Sequence, residues 1–213
     1  NLFINSKSLF SSPDFKIVEQ SAGERVRATT VDKPIESPAD LKGLKIRVQQ
    51  SPTNIEMMKL LGGSATPMGF GEVYTALQSN IIDGAENNEM ALTDNGHGDV
   101  CKYYSYDMHQ MVPDIVIGNV AFMEGLTEEE EAIFEEGYDI LSAVQRKEWI
   151  TSVEAAKEKA ANEQNVQFIY PDQAPFVEAC SPLHESVLKN NPALQSTYDA
   201  IQEYNAQYPS VAE

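Results

Sequence analysis

The chain has 213 residues, of which 33 are acidic and 15 are basic, giving a formal net charge of −18 at pH 7. This balance argues against nucleic acid or an anionic membrane surface as a partner, because binding to phosphate needs the opposite sign. No apolar run reaches the roughly 18 residues that a membrane-spanning helix needs. An anionic ligand would have to be captured by a few local arginines, since the overall field opposes it.

The sequence contains no recognisable catalytic or metal-binding constellation. His97 and Cys101 are four residues apart and could share a helical face, but no nucleophile elbow or metal-ligand spacing accompanies them. Both are interpreted as structural residues, and neither a metal nor a cofactor is expected. Cys101 and Cys180 could form one disulfide or remain two thiols. No signal peptide is recognised, so the protein is either cytosolic or has lost its signal.

The most regular pattern begins with a strand that carries an arginine. Leu44, Ile46 and Val48 alternate with Lys45 and Arg47, and this period of two predicts a half-buried strand. Arg47 therefore lies near the end of a predicted strand.

Two strand–helix units and a final strand follow from this start. They are predicted as a strand at 44–48, a helix from Ser51-Pro52 to Gly62-Gly63, an extended segment at 65–68, a helix at 70–79 and a strand at 81–84. This β-α-β-α-β order implies parallel strands, which bind ligands beyond their carboxyl ends. Arg47, Phe70, Glu86 and Asn87 all fall near such ends.

The other elements flank this unit. Strands are predicted at 15–18, 25–30, 113–122 and 166–170, and helices at 172–189, with an interruption at Pro182, and at 192–207. Arg27 lies on the second of these strands.

One helix is much longer than the rest. Thr127 and Glu130 form a capping box, and no convincing stop follows until about Asn162. Roughly 35 residues at about 1.5 Å each give about 50 Å, which exceeds the diameter of a small domain. We therefore expect this helix to bridge two lobes; the alternative is a bend between Gln145 and Trp149.

Two arginines are the best candidates for anion capture. Arg27 and Arg47 both lie on predicted strands, and a guanidinium offers a planar fork that matches a carboxylate. Phe70 could close over an apolar ligand face, and Asn87 can both donate and accept hydrogen bonds. The alternative is that each arginine forms an ordinary surface ion pair.

Three motifs resemble one family of transport proteins. The segments Ala39–Val48, Thr66–Gln78 and Ile82–Asn87 resemble, in order and spacing, the extracytoplasmic solute-binding proteins of tripartite ATP-independent periplasmic (TRAP) transporters, the DctP-like family. The resemblance extends from about Arg25 to the chain end. It implies an α/β fold: a two-lobe, type II-like periplasmic-binding clamshell with a long helix spanning both lobes.

The resemblance also implies roles for individual residues. Arg47 would pair with the ligand carboxylate, with Arg27 as a second arginine, while Asn87 and Phe70 match the family's asparagine and aromatic positions. Two further ligand-binding candidates, Gln50 and Glu86, would reach ligand hydroxyls. No catalytic residue, metal or cofactor is implied. The implied partners are an organic acid and the membrane permease subunits, in the periplasm, with the complete protein a monomer.

The chain departs from the family pattern at its start, which lacks a further lobe-forming segment, so the first lobe is expected to be incomplete. The predicted divisions are 1–24 as a remnant of that lobe, 25–112 as the ligand-binding lobe, 113–152 as part of the opposite lobe, and 153–213 as the return of the long helix and the C-terminal helices.

The order Glu-Asn-Asn, with a histidine and Lys-Tyr-Tyr downstream, is similar to members that bind hexuronates such as glucuronate or galacturonate. A C4-dicarboxylate and sialic acid remain alternatives. An organic-acid lyase or isomerase of the same shape is an alternative of another class, for which Glu86 and Glu72 are the candidate acid–base groups.

Overall fold

The computed structural model describes the backbone of residues 15–207 and the side chains of residues 28–112 and 115–207. Much of the predicted remnant at 1–24 lies outside the described residues, and so does the side chain of Arg27. Within this range the chain divides into two compact units. One contains residues 15–22, 113–146 and 184–207, and the other contains residues 23–112 and 147–183.

The strands form one six-stranded sheet with the order β3-β2-β4-β1-β5-β6. The strands are β1 Phe15–Thr30, β2 Lys45–Val48, β3 Ser64–Pro67, β4 Gly84–Asn87, β5 Tyr103–Asn119 and β6 Gln167–Ile169. β2 pairs in parallel with β3 and β4, β1 pairs antiparallel with β4, and β5 pairs in parallel with β6. The expected parallel β-α-β-α-β unit is therefore present.

The helices have the following bounds: α1 Pro52–Leu60, α2 Val73–Gln78, α3 Met90–Asp94, α4 His97–Val100, α5 Val120–Glu124, α6 Glu128–Asn162, α7 Ala174–Asn190 and α8 Gln195–Gln207, with short 3-10 turns at Pro38–Leu41, Phe70–Glu72 and Pro192–Leu194. In the described part of the chain, none of them is long and apolar enough to cross a membrane.

Four sequence expectations differ from the structure in detail. The third strand of the parallel unit begins at Gly84 and not at residue 81, because residues 81–83 form a bend in which the Asp83 amide bonds to the Lys45 carbonyl. The two strands predicted at 15–18 and 25–30 are parts of one long strand, β1. The strand predicted at 113–122 is the second part of β5, which ends at Asn119, and residues 120–122 begin α5. α7 continues through Pro182, which removes one hydrogen bond without ending the helix.

Among the described side chains, three clusters of buried apolar residues form the core, and these three lie in the second unit. The largest packs β2, α1 and α7 together around Ile46, Met58 and Phe176. The second lies under α2 and β4, and the third joins β5, β6 and α6 around Tyr104. The ends of β2 and β4 are therefore held by packing on both sides.

The long helix is confirmed as a single element of 35 residues. It begins with the predicted capping box, in which the Thr127 amide donates to Glu130 at 2.8 Å and the Glu130 amide donates to Thr127 Oγ1 at 3.3 Å. The helix continues without a break through residues 145–149. Its residues up to Arg146 belong to the first unit and those from Lys147 to the second, as expected for a helix shared by two lobes.

Gly137 lies in the middle of α6 and offers a stabilising substitution. A Cβ built there meets no atom within 4 Å, and the backbone is not in the left-handed region. We expect Gly137→Ala to raise the free energy of unfolding by about 0.5–1 kcal/mol, because alanine loses less backbone entropy in a helix. Chemical denaturation of both proteins measures this; a lower stability of the variant would contradict it.

Candidate functional site

The candidate site is built around Arg47 on the central strand β2. Ile46 and Val48 pack into the core on either side of it. Arg47 itself is only 5% exposed, although alternation alone suggested a half-buried strand. An ordinary surface ion pair, the alternative open at the sequence level, is therefore wrong for Arg47.

One edge of the Arg47 guanidinium is held by a backbone carbonyl just after the neighbouring parallel strand β3. Nε and Nη2 both donate to the carbonyl oxygen of Met68, at 3.2 and 3.1 Å. Met68 follows β3 directly. The pairing of β2 with β3 thus brings this acceptor to an arginine 21 residues earlier in the sequence.

The other end of the guanidinium faces a buried carboxylate. Nη1 lies 3.7 Å from Glu86 Oε1, which is an ion-pair distance but longer than a hydrogen bond. Glu86 lies on β4 and is 3% exposed. Burial lowers the pKa of Arg47 and raises the pKa of Glu86, and their mutual attraction opposes both shifts.

Phe70 supplies an aromatic face over the arginine. It opens the 3-10 turn that follows β3, and its ring centre lies 5.7 Å from Arg47 Cζ, within cation–π range. The ring is 42% exposed. Its second neighbour is the ring of His97, with 5.8 Å between the ring centroids.

The remaining predicted site residues lie at or beside the same strand ends. Asn87 is the last residue of β4, its side-chain oxygen accepts from the Asn88 amide at 2.8 Å, and its backbone pairs with Arg27 on β1. Gln50 is exposed just after β2. Arg47 thus contacts both Phe70 and Glu86, Asn87 follows Glu86 on β4, and Gln50 lies two residues after the end of β2.

A buried aspartate–histidine pair was not predicted from the sequence. The side chains of Asp107 and His109 on β5 are 1% and 0% exposed, and His109 Nδ1 lies 2.9 Å from Asp107 Oδ2. Burial lowers the pKa of His109, but the charges of Asp107 and Glu86 outweigh it, so the net pKa is raised. The spacing Asp-x-His on one strand was the available signal.

His97 is a neutral support for Phe70. It opens α4 and is 2% exposed. Burial and the nearby Arg47 charge lower its pKa to about 4. Its Nδ1 is one of the buried polar atoms that have no hydrogen-bond partner within the described residues.

The lowered pKa of His97 predicts a pH-dependent stability. The unfolded chain binds a proton near pH 6.5 while the folded chain does so only near 4, so stability is lost as the pH falls through this window. Between pH 7 and pH 5 we expect His97 to remove about 2 kcal/mol from the free energy of unfolding. Denaturation of wild type and His97→Phe at both pH values measures this contribution.

His184→Phe, which changes an exposed histidine on α7, is the matched control for that experiment. Equal losses of stability in wild type and His97→Phe between the two pH values would contradict the expectation.

The two cysteines are both buried and both free, so the question left open by the sequence is answered in favour of two thiols. Burial raises the pKa of the Cys101 thiol to about 12, which makes it a poor nucleophile. The contact recorded between His97 and Cys101 is between their backbones: the Cys101 amide donates to the His97 carbonyl at the end of α4. Among the described residues, no cluster of side chains is suited to a metal ion.

Comparison with known proteins gives consistent matches along most of the chain. The model of the family described as "Bacterial extracellular solute-binding protein, family 7" (DctP) matches residues 9–191. An uncharacterised protein of Salmonella typhimurium, YiiZ, is 44% identical over 169 residues, which are 79% of this chain and 51% of that protein.

Two solved structures are similar over almost the whole chain. A TRAP periplasmic solute-binding protein from Anaerococcus prevotii, crystallised with α/β-D-glucuronate, is 64% identical with a TM-score of 0.88; the match covers 92% of this chain and 64% of that one. Another from Chromohalobacter salexigens, with bound D-glucuronate, is 28% identical with a TM-score of 0.90, over 95% and 67% of the two chains.

The chain thus spans about half of the Salmonella protein and about two thirds of the crystallised relatives. The family match covers most of its described residues, including the candidate site at the ends of β2, β3 and β4. The resemblance noted in the sequence is confirmed, and the chain belongs to the DctP family of bacterial extracellular solute-binding proteins.

Proposed function

We propose that the protein is the periplasmic solute-binding component of a TRAP transporter and that its ligand is a hexuronate, D-glucuronate or D-galacturonate. The observation that carries this is the state of Arg47: a buried guanidinium whose Nε edge is held by Met68 and whose Nη1 makes only a long contact. Such a group is pre-organised to bind a carboxylate through its other edge.

The surroundings of Arg47 suit a sugar acid. The exposed ring of Phe70 offers an apolar face on which a pyranose can pack, and Glu86 and Asn87 supply oxygen and amide groups for hydroxyls. Gln50 and Arg27 complete the proposed set. The glucuronate bound by the relative with 64% identity supports the same ligand class.

The same observations favour binding over catalysis. A lyase or isomerase would need an acid or base poised at the reacting carbon. Glu86 is buried against Arg47 and His109, and Glu72 is occupied in accepting from the Gly69 amide at 3.1 Å. We therefore propose that the protein delivers its ligand unchanged to the permease subunits, as a monomer, with no metal or cofactor.

A thermal-shift screen on the full-length protein encoded by the natural gene tests this function. D-glucuronate and D-galacturonate are compared with succinate, sialic acid and D-glucose, which has the same ring as glucuronate without its carboxylate. A ligand present at 1,000 times its Kd adds about 4 kcal/mol of stability, so we expect a clear shift with the uronates only. An equal shift with glucose, or none with either uronate, would contradict the proposal; NMR of the incubated uronate should show no turnover.

A further inference from the structure

The guanidinium of Arg47 has only one end left for an anion. Nε and one hydrogen of Nη2 point to the Met68 carbonyl, at 3.2 and 3.1 Å. A carboxylate that binds with two parallel hydrogen bonds must then use the end formed by Nη1 and Nη2. Nη1, one of the two nitrogens of that end, already lies 3.7 Å from Glu86 Oε1.

Glu86 is poorly placed to remain ionised beside a second carboxylate. It is 3% exposed, and its Oε1 is one of the buried atoms that lack a hydrogen-bond partner among the described residues. Two carboxylates at one buried guanidinium repel each other, and in such sites one of the pair takes a proton.

The charged and titratable groups around Glu86 come from the adjacent strand β2 and from β5, which lies on the far side of β1 in the sheet. Arg47 faces it from β2, and His109 and Asp107 face it from β5, while the backbone amide of Gln49 donates to it. His109 already has a carboxylate partner, because its Nδ1 lies 2.9 Å from Asp107 Oδ2. On β1, Ala28 is the backbone neighbour of Glu86. The charges of His109 and, to a smaller extent, Arg47 both lower the pKa of Glu86, and Arg47 is the one that a ligand carboxylate would also use.

We infer that Glu86 takes up one proton from solvent when a ligand carboxylate binds to the Nη1–Nη2 end of Arg47, so that the bound site contains an ionised ligand and a neutral Glu86. This inference rests on the proposed function. The neutral carboxylic acid gains an O–H that can donate to a ligand oxygen, which gives Glu86 a role in binding beyond charge balance.

The direction of the pKa shifts agrees with this geometry. Burial raises the pKa of Glu86, and the charges of His109 and Arg47 oppose that rise. A bound carboxylate offsets the Arg47 charge and so raises the pKa further. Because ligand binding raises this pKa, the affinity increases as the pH falls through the window between the free and bound values, by up to about tenfold per pH unit for one proton.

Isothermal titration calorimetry of the full-length protein with D-glucuronate, in PIPES and in imidazole buffer at the same pH, measures the proton uptake directly. Between pH 5 and pH 8 the ligand stays ionised, because its carboxyl has an ordinary pKa near 3.5. We expect an uptake of up to one proton per ligand in the wild type. We expect none with Glu86→Gln, in which the affinity no longer follows the pH, and a persisting uptake with His109→Gln.

The outcomes separate the two proposals. Glucuronate binding without proton uptake overturns the role of Glu86 and leaves the proposed function intact. An uptake that persists in Glu86→Gln and disappears in His109→Gln places the proton on His109 and also overturns it. The wild-type measurement tests whether a proton is taken up even if a variant fails to fold. A failure of the wild type to bind either uronate would overturn the proposed function itself.

Discussion

Arg47→Ala is expected to weaken the binding of D-glucuronate by about a hundredfold. Removing one partner of a buried, hydrogen-bonded charge pair costs about 2–5 kcal/mol. Here the ligand carboxylate would lose its fork, and Glu86 would lose the Arg47 charge, whose Nη1 lies 3.7 Å from Oε1. Titration calorimetry of the full-length protein measures the loss of affinity.

Two further variants sharpen this test. Arg47→Lys keeps the charge without the planar fork, and it should bind more weakly than wild type and more tightly than Arg47→Ala. Arg146→Ala removes an exposed arginine on α6 and should leave the affinity unchanged. Wild-type affinity in Arg47→Ala would show that the carboxylate is held elsewhere.

The stability of Arg47→Ala must be measured beside its affinity. The substitution leaves the Met68 carbonyl without its two donors and Glu86 without its nearest cation. We expect a loss of about 1–3 kcal/mol in the free energy of unfolding, which does not explain a hundredfold loss of affinity if the variant remains folded at the temperature of the titration.

The parallel unit could be predicted from sequence because its signals are local. Alternation in β2, the Ser51-Pro52 start of α1 and the glycines after it lie within a few residues of the elements they define. The capping box of α6 is equally local and was correct. These are the cases in which propensity and pattern agree with the fold.

The burial of the site residues could not be predicted in the same way. Arg47 is buried because Met68, 21 residues later, supplies an acceptor and β4 supplies Glu86. His97 lies against the ring of Phe70, a contact between distant segments, and a lone histidine in sequence carries no sign of it. The order of the sheet, which brings β4 between β1 and β2, also depends on pairings between distant segments.

Gly84→Ala is expected to destabilise the protein by about 3 kcal/mol, since forced overpacking in a tightly packed core costs about 1–3 kcal/mol or more. Gly84 opens β4, the strand that lies between β1 and β2. A Cβ built on it would lie 2.5 Å from the Thr29 carbonyl oxygen and 2.9 Å from Ile46 Cδ1. The backbone oxygen cannot move away without breaking the register of β1 with β4, which begins with Thr30 opposite Gly84.

The same strand carries Glu86 and Asn87, so a shift of β4 also reaches the proposed ligand site. We therefore expect Gly84→Ala to lower both the unfolding midpoint, by about 6–12 °C for a chain of this size, and the affinity for D-glucuronate. Gly71→Ala is the matched control, because a Cβ there meets no atom within 4 Å, and its unfolding midpoint should stay close to that of the wild type. Equal unfolding midpoints for the two variants would contradict the expectation. They would mean that β4 has room for a methyl group at Gly84 and that its close approach to β1 does not require glycine there.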